Sequence, residues 1–577
     1  MSKYKDSCEF ARRLTSTKLE CGKSLRELTD YGDIAMWWFA HFDFIDFLLG
    51  MPEEGGDYNP KGLRFQAGLT KLPLLLFASV NFCFDLARKL FIKSVLALYG
   101  KSEPDAPARG PRILFTSEDL MWRELRDYET GQVRKTDVFF DSLIRLLRDK
   151  EDFDLVGTYP LVKYVYPFRS AIQRFRIVVE KVKNWDVRHR PFNLYWKTSI
   201  SRREYGAARE FKKIWETLAQ DAKLRQLCEF NGTDIFELVR RKLAFYFLVL
   251  FPYALKRIEM SKRMLECQQP DLVLLINEYG IFERSLLIAA KTKGIPTMAI
   301  QHGNITPSHQ GYMYHSEEVS VEALITSPYN QLPDKMAVFG PYFKELLTKT
   351  SSYPPDSVFV TGQPRYDILD TLKKRYSRED ILGQYEIDAG RKAVLWTTQC
   401  PGLTDDDNIK NFKAMRMATD KLGDVVFVIK QHPNEGPKYT EMIEKYIGLP
   451  RDNVVLVSKT ADTLCLIHAC DAMITQWSTT AIEALALETN LIILNLGSDP
   501  DKVEYVKEGV ALGAYTAEEL ATAVEKAVNN SADMAEKREK YVEQYLYRID
   551  GKATERAAEM IKQLLKDSQS AHKGESI

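Results

Sequence analysis

From about residue 270 onward, short apolar runs alternate with stretches of helical periodicity. The runs 271–276 (DLVLLI), 296–301 (PTMAIQ), 322–326, 336–339 and 358–361 (VFVT) read as strands, with a helix over 282–291 between the first two. A second series begins at 392–397 (KAVLWT) and continues through 425–430 (VVFVIK), 454–457, 472–475 and 491–496. Helical patterns over 412–422, 439–447, 461–469, 479–487 and 517–528 separate or follow these runs. The strands are continuously apolar rather than alternating, as strands covered on both faces must be. Alternation of such strands with helices predicts βαβ units and parallel sheets.

The two series divide near 370–390, so the pattern predicts an α/β protein with two Rossmann-like, doubly wound domains. The first series has an earlier start at 112–116 (RILFT) and 154–158, followed by a helical insertion over 160–265. The expected organisation is a helical extension at 1–110, a first domain at 111–370 and a second at 371–567, with a tail at 568–577. The closing helices, near 533–567, are rich in Glu, Lys and Ala and are expected to pack on the outside. In the extension, 34–49 (IAMWWFAHFDFIDFLL) is dense in aromatics, and 72–99 is apolar with Arg88, Lys89 and Lys93 in its second half. The longest uncharged apolar runs, 72–84 and 243–255, have 13 residues each. A spanning helix needs about 20, so both read as core helices or interfacial segments.

The chain has 577 residues, 45% hydrophobic and 28% charged, an ordinary globular composition that excludes disordered, collagen-like and small disulfide-stapled classes. Its 80 basic and 80 acidic side chains sum to zero, but unevenly. Residues 111–270 carry 31 basic and 22 acidic side chains, residues 271–577 carry 34 and 44, and the segment 161–215 alone carries 14 and 4. That segment interleaves its cations with Tyr164, Tyr166, Phe168, Phe175, Trp185, Phe192, Tyr195 and Trp196. Such a mixture suits an anionic lipid surface; a solvated insertion with inward-packed aromatics fits the same pattern. No nucleic-acid-binding motif accompanies it. The eight cysteines form no C-x-x-C, and residues 1–23 are polar where a signal peptide needs an apolar stretch. The expectation is a cytoplasmic protein with reduced thiols, docked peripherally on the inner face of the cell membrane.

In open parallel sheets ligands bind beyond the carboxyl ends of the strands, so the chemistry is sought there. After 472–475 comes Gln476-Trp477-Ser478-Thr479-Thr480, opening a helix that carries Glu483. Backbone N–H groups at a helix start, with the hydroxyls of Ser478, Thr479 and Thr480, make a phosphate cradle, and Glu483 is placed to hold a ribose. A plain helix cap with Glu483 completing a capping box fits equally well. After 425–430, Lys430 and His432 offer positive charge or donors to a diphosphate. After 296–301, His302 beside Gly303 suits general-base work, and Glu278 follows 271–276 in the same cleft. Thr361-Gly362-Gln363-Pro364-Arg365-Tyr366-Asp367 crosses between the domains; its glycine and proline read as hinge geometry and Arg365 as a further phosphate candidate. The chain lacks H-E-x-x-H, clustered cysteines and D-x-D-x-D-G, so no metal site is expected. It also lacks the P-loop and G-x-S-x-G motifs.

Taken together, these segments resemble nucleotide-sugar enzymes of the GT-B fold, in which two Rossmann-like domains face a cleft. FVTGQPRYDIL (359–369), IKQHPNE (429–435), QWSTTAIEALALETNLIILNLGSDP (476–500) and YVKEGVALGAYTAEEL (505–520) are similar to segments of non-hydrolysing UDP-N-acetylglucosamine 2-epimerases and surface-polysaccharide glycosyltransferases. The likeness covers roughly 270–530, about half the chain. The epimerases' opening G-T-R-P-E, paired phosphate-turn glycines and H-V-E-A-G-like segment are absent, which disfavours epimerisation. CDP-glycerol glycerophosphotransferases share a similar H-P segment and Ser-rich turn. The resemblance implies a metal-independent glycosyltransferase with a nucleotide sugar as substrate and no separate cofactor. The donor would lie on Lys430, His432, Ser478, Thr479, Thr480, Glu483 and Arg365. A surface-glycan or lipid-linked acceptor would be deprotonated by His302 or Glu278. An epimerase-like enzyme, a glycerophosphotransferase and a non-catalytic sugar-nucleotide-binding scaffold are the alternatives.

Overall fold

The computed structural model describes residues 2–51, 61–101, 110–161, 171–314, 332–497, 501–529 and 532–574. The expected strand at 322–326, the linker over 102–109 and the aromatics Tyr164, Tyr166 and Phe168 lie outside the described residues.

Two parallel sheets form the body. The first uses β1 (Arg112–Thr116), β4 (Asp154–Thr158), β5 (Arg188–His189), β6 (Leu272–Leu275), β7 (Thr297–Ile300), β8 (Lys335–Val338) and β9 (Val358–Val360), in the order β9-β8-β7-β6-β1-β4-β5. Between β1 and β4 a hairpin of β2 (Trp122–Arg126) and β3 (Val133–Asp137) leaves the sheet. The second sheet uses β10 (Lys392–Thr397), β11 (Val425–Lys430), β12 (Val454–Val457), β13 (Ala472–Thr475), β14 (Asn490–Leu494) and β15 (Ala511–Ala514), in the order β12-β11-β10-β13-β14-β15. Both run outward from their first strand in one direction and then reverse, which is the doubly wound arrangement. The reversals lie between β1 and β6 and between β10 and β13. There the flanking loops part and leave a crevice for a ligand. The central strands are buried throughout, LVLL in β6 and VVFVIK in β11 among them, because helices cover both faces.

The helices that matter below are α1 (Trp37–Leu49), α2 (Leu74–Leu98), α3 (Asp141–Asp149), α4 (Thr198–Leu218), α5 (Phe251–Gln268), α6 (Ile281–Lys291), α7 (Thr463–Ala469), α8 (Thr480–Ala486) and α9 (Ala553–Gly574). The closing helix α9 does not stay with the second domain. It crosses back to the first, where Ala557, Ala558, Ile561, Leu564 and Leu565 join Ile113, Leu143 and Leu274 in one core. Its start is capped by Asp367, whose carboxylate accepts from Ala553 N (2.9 Å) and Thr554 N (2.7 Å), while Arg556 donates to Thr361 O at 2.7 Å. The interdomain segment is thus bolted by α9. Gly362, at φ +77°, sits against Ala553 and Arg556, a conformation that L side chains rarely adopt.

The two apolar segments of the extension part company. Segment 34–49 packs inward: Trp37, Phe39, Phe44, Ile45, Phe47 and Leu48 of α1 are buried with α5 and α6 residues such as Phe251 and Leu286. In the aromatic insertion, the described Trp185, Phe192, Tyr195 and Trp196 are buried, in keeping with the inward-packed alternative. Among the described residues, α2 carries a row of exposed apolar side chains, Leu75, Leu76, Val80, Leu86, Leu90 and Leu98. No described helix is long and apolar enough to cross a membrane.

Candidate active site

At the first sheet, β6 runs into Asn277-Glu278 and β7 into Gln301-His302, so neighbouring strands deliver both candidates to one crevice. Gln301 is buried and clamps the turn: its Nε2 donates to Gly303 O at 2.8 Å and its Oε1 accepts from Phe339 N at 2.9 Å. Tyr312, ten residues beyond His302, joins the pair. Its hydroxyl lies 3.3 Å from Glu278 Oε2 and 3.3 Å from His302 Nδ1. Burial pushes the Glu278 carboxyl up to about 7; the Tyr312 hydrogen bond and the Arg284 charge oppose that without cancelling it. Glu278 Oε1 is buried without a hydrogen-bond partner. Such a group exchanges a proton near neutral pH. Around it stands an aromatic wall of Tyr279, His309 and Tyr312, with ring centroids 4.9–5.2 Å apart. Phe42 of α1 stacks on Tyr279 at 5.4 Å and Trp38 meets Tyr314 edge-on at 5.6 Å. The extension therefore forms part of this site's wall. Gly311 is obligatory there, since a Cβ would come within 2.5 Å of the Tyr279 ring.

At the second sheet the Ser/Thr turn sits at the β10/β13 reversal. Two of its backbone donors, Gln476 N and Trp477 N, are taken by Gln399 Oε1 at 3.1 Å each. Ser478 Oγ accepts from Thr480 N (3.2 Å) and from Thr480 Oγ1 (2.8 Å). Thr479 is exposed and makes no side-chain cap to α8. The turn is thus largely organised by its own chain, with Thr479 as its most accessible hydroxyl. Glu483 is buried and completes no capping box. It accepts instead from Arg365 Nη2 at 3.0 Å. Burial raises the Glu483 pKa, Arg365 lowers it and Asp462 raises it again.

Lys430 is buried at the end of β11, and its ammonium donates to Lys459 O at 3.2 Å. Burial lowers its pKa, while Asp462 and Glu435 pull it back up. Lys430 and Glu483 therefore share Asp462 as an electrostatic neighbour. His432 is exposed; its backbone N–H donates to Thr398 Oγ1 at 3.3 Å and its Nδ1 accepts from Asn434 N at 3.2 Å. Glu435 fixes this loop by accepting from Thr398 Oγ1, Cys400 N and Gln431 Nε2 at 2.8–3.3 Å. The β2–β3 hairpin reaches across from the first domain, and Tyr128 Oη donates to the Asp462 carboxylate at 2.9 Å. Arg123 of the same hairpin has its pKa lowered by burial and by Arg365 nearby, so a cation of the hairpin and one of the interdomain segment lie close together.

The structure brings together His302 with Glu278, and Arg365 with Glu483. It does not give Arg365 a role free of Glu483. The residues of these clusters to which the sequence reading gave no role are Tyr312, Gln399, Glu435 and Asp462. Gln399 and Glu435 stand within two and five residues of strands already recognised, where a scan of each strand end finds them. Tyr312 lies in an irregular loop with no such signal. Among the described residues no group of three or more His, Cys, Asp or Glu is gathered as metal ligands are.

A family model described as CDP-Glycerol:Poly(glycerophosphate) glycerophosphotransferase matches residues 273–563, half of the chain. No curated protein matched in a sequence comparison. Among solved structures, the UDP-GlcNAc 2-epimerase from Neisseria meningitidis bound to UDP-GlcNAc is similar at 16% identity, over 78% of this chain and 99% of that one, with a TM-score of 0.47. The S. aureus MnaA–UDP co-structure is similar at 16% identity, over 79% and 97%, with a TM-score of 0.45. A variant of the wall teichoic acid polymerase TagF is similar at 10% identity, over 85% and 99%, with a TM-score of 0.42.

Proposed function

The chain belongs to the CDP-glycerol:poly(glycerophosphate) glycerophosphotransferase family, and from that premise we propose that it transfers a phosphate-linked alcohol from a CDP-activated donor, CDP-glycerol in the first instance, to a hydroxyl acceptor. The observation that carries the reading is the family match, which spans both strand-end clusters, from β6 into α9. The sugar transfer expected from the sequence shares the same architecture but breaks a different bond.

In the proposed step the acceptor oxygen attacks the β-phosphorus of the donor. A new P–O bond forms, the P–O–P bond breaks, and CMP leaves with the bridging electron pair. The acceptor's proton passes to His302. Tyr312 donates to Glu278, so its oxygen is left to accept from His302 Nδ1–H. In that tautomer, inferred from the hydrogen-bond chain, Nε2 is the ring nitrogen that would take the acceptor's proton. Glu278 acts through Tyr312 and is a positioning residue for the base. Across the cleft, Lys430 and the Thr479 hydroxyl of the second sheet, with Arg365 of the interdomain segment and Arg123 of the first domain's hairpin, would supply charge and donors for the diphosphate, an electrostatic contribution that grows in a cleft shielded from water. Glu483 would accept from the ribose while it orients Arg365.

The decisive test is the leaving group. Incubation with CDP-glycerol and a short polyol-phosphate acceptor is expected to release CMP and lengthen the acceptor. Release of a nucleoside diphosphate from a nucleotide sugar, with no CMP from CDP-glycerol, would instead assign sugar transfer. Formation of the manno epimer from UDP-N-acetylglucosamine alone would assign epimerisation.

A further inference from the structure

Helix α1 buries eight of its 13 residues. The others, Trp38, Phe42, Asp43, Asp46 and Leu49, are half-buried or exposed. Trp38, Phe42 and Asp46 are spaced at i, i+4 and i+8, so they stand one above the next along the helix. A ring, a second ring and a carboxylate thus make one stripe. A core helix normally turns polar side chains outward, and two aromatics on that side call for a partner.

Tertiary contacts carry this stripe to the candidate active site. Phe42 stacks on Tyr279 at 5.4 Å, and the Tyr279 ring stands 6.0 Å from that of His302. Gly311 closes the other face of Tyr279, where a Cβ would come within 2.5 Å of the ring. Tyr279 is therefore enclosed, and Phe42 ends the stack, half-buried, with Tyr279 as its one ring partner among the described residues. Trp38, one turn earlier, meets Tyr314 edge-on at 5.6 Å. The distance from Phe42 to His302 is about the reach of a disaccharide.

The charges beside the stripe disfavour an anion. Asp43, Asp46 and Glu278 are carboxylates, and the neighbouring described cations are engaged. Lys242 pairs with Asp43 at 2.7 Å, Arg284 is buried and donates to Tyr314 Oη at 3.1 Å, and Arg26 lies over the Trp38 ring at 5.9 Å. His309, 5.2 Å from Tyr279, accepts from Gly311 N at Nδ1 and so carries its proton on Nε2; burial lowers its pKa and keeps the ring neutral. The wall thus offers flat rings, a neutral donor and carboxylate acceptors. A sugar ring complements all three: one face is made of C–H groups that rest on an aromatic face, and its hydroxyls donate to carboxylates. A phosphodiester meets repulsion there. Helix α1 also lies outside the residues matched to the family, 273–563, so the stripe belongs to a part of this chain that the match does not reach.

We propose that α1 builds an acceptor subsite for a saccharide: a sugar ring packs on Phe42 and Trp38, donates a hydroxyl to Asp46 and presents its reacting hydroxyl toward His302. The inference rests on His302 acting as the base and narrows the hydroxyl acceptor of that reading to a sugar terminus. Saturation-transfer NMR on the full chain tests it without donor or turnover, so its outcome is separate from that of the CMP-release assay. The probes are the methyl glycosides of glucose, galactose, mannose and N-acetylglucosamine, with glycerol 1-phosphate alongside. At least one glycoside is expected to receive saturation, strongest on the C–H protons of one ring face, and glycerol 1-phosphate none. Phe42→Leu keeps an apolar side chain without the ring. It is expected to weaken glycoside binding about tenfold, and Phe42→Tyr to retain it, both with the parent's circular dichroism spectrum. In transfer assays Phe42→Leu should raise the acceptor KM about tenfold and leave the affinity for CDP unchanged. Silence from every glycoside, saturation of glycerol 1-phosphate alone, or equal glycoside binding by the parent and Phe42→Leu would overturn the proposal. Glycoside binding that depends on Phe42, with no CMP released from CDP-glycerol, would uphold the subsite and strike the transfer reading instead.

Discussion

Glu278 and Glu483 occupy matching places in the two domains. Each is buried in the loop or helix that follows a central strand, and burial raises the pKa of both. Their partners separate them. Glu483 faces the Arg365 guanidinium at 3.0 Å, whereas Glu278 faces the neutral Tyr312 phenol at 3.3 Å and keeps one oxygen unpaired. The guanidinium offsets part of the burial of Glu483, whose pKa still lies above its ordinary value, and the carboxylate orients that cation. An unpaired carboxylate sits near its midpoint and responds to a proton. On the proposed reading the second domain meets an anion and the first a hydroxyl and its proton, with α1 of the extension completing the first site's wall.

The largest effect expected from this contrast is at His302. Replacing it by Ala should lower kcat by roughly 10²–10⁴-fold, the usual contribution of a general base. Nucleotide affinity measured by calorimetry should stay unchanged, and a loss of affinity in place of kcat would erase the division between the domains. Glu278→Gln comes next. Its carboxyl has a folded pKa of about 7 against the ordinary value of 4.5, so the folded state holds its proton more tightly than the unfolded state. Stability is undiminished below the unfolded pKa and falls as pH rises toward 7. The Gln variant should therefore gain over the parent progressively between those values, by an order of magnitude of roughly 3 kcal/mol at its plateau, seen as a rising difference in Tm. Its pH–rate profile should lose the inflection near 7. A pH-independent stability difference would show that the Glu278 proton is not the one at issue. The smallest effect is Glu483→Gln, which should weaken nucleotide binding by about tenfold, the scale of one hydrogen bond to a charged group. Unchanged affinity would remove Glu483 from the donor site.

The two apolar segments of the extension show how far local pattern reaches. Both α1 and α2 were legible as apolar helices, and neither sequence says which is covered. Four charges interrupt α2, and three of them, Asp85, Arg88 and Lys89, turn toward the body while the leucines face out. The pairing of Asp85 with Lys256 spans 171 residues of chain, so no window around α2 contains it. The strands β1, β4, β10, β11, β12 and β13 match their expected bounds, because a strand covered on both faces must be apolar along its length. The hairpin β2–β3 was missed for the opposite reason: WRELR and VRKTD are polar excursions that read as loop. β15 was missed as well, a four-residue edge strand with a glycine in it.

The candidate site divides along the same line. His302, Glu278, Lys430, Ser478 and Glu483 were legible as polar or ionisable residues beyond strand ends, since topology alone sends those ends to a cleft. Tyr312 between Glu278 and His302, Gln399 on the turn's N–H groups, and Arg365 on Glu483 were not, because each joins segments that meet only when the sheets assemble. The sequence by itself determined the two doubly wound sheets and the loops that carry the chemistry, both being properties of continuous apolar runs and their ends. The tertiary structure alone decided which glutamate meets a guanidinium and which a phenol, and which apolar helix faces out. Desolvation and ion pairing depend on what arrives from distant parts of the chain.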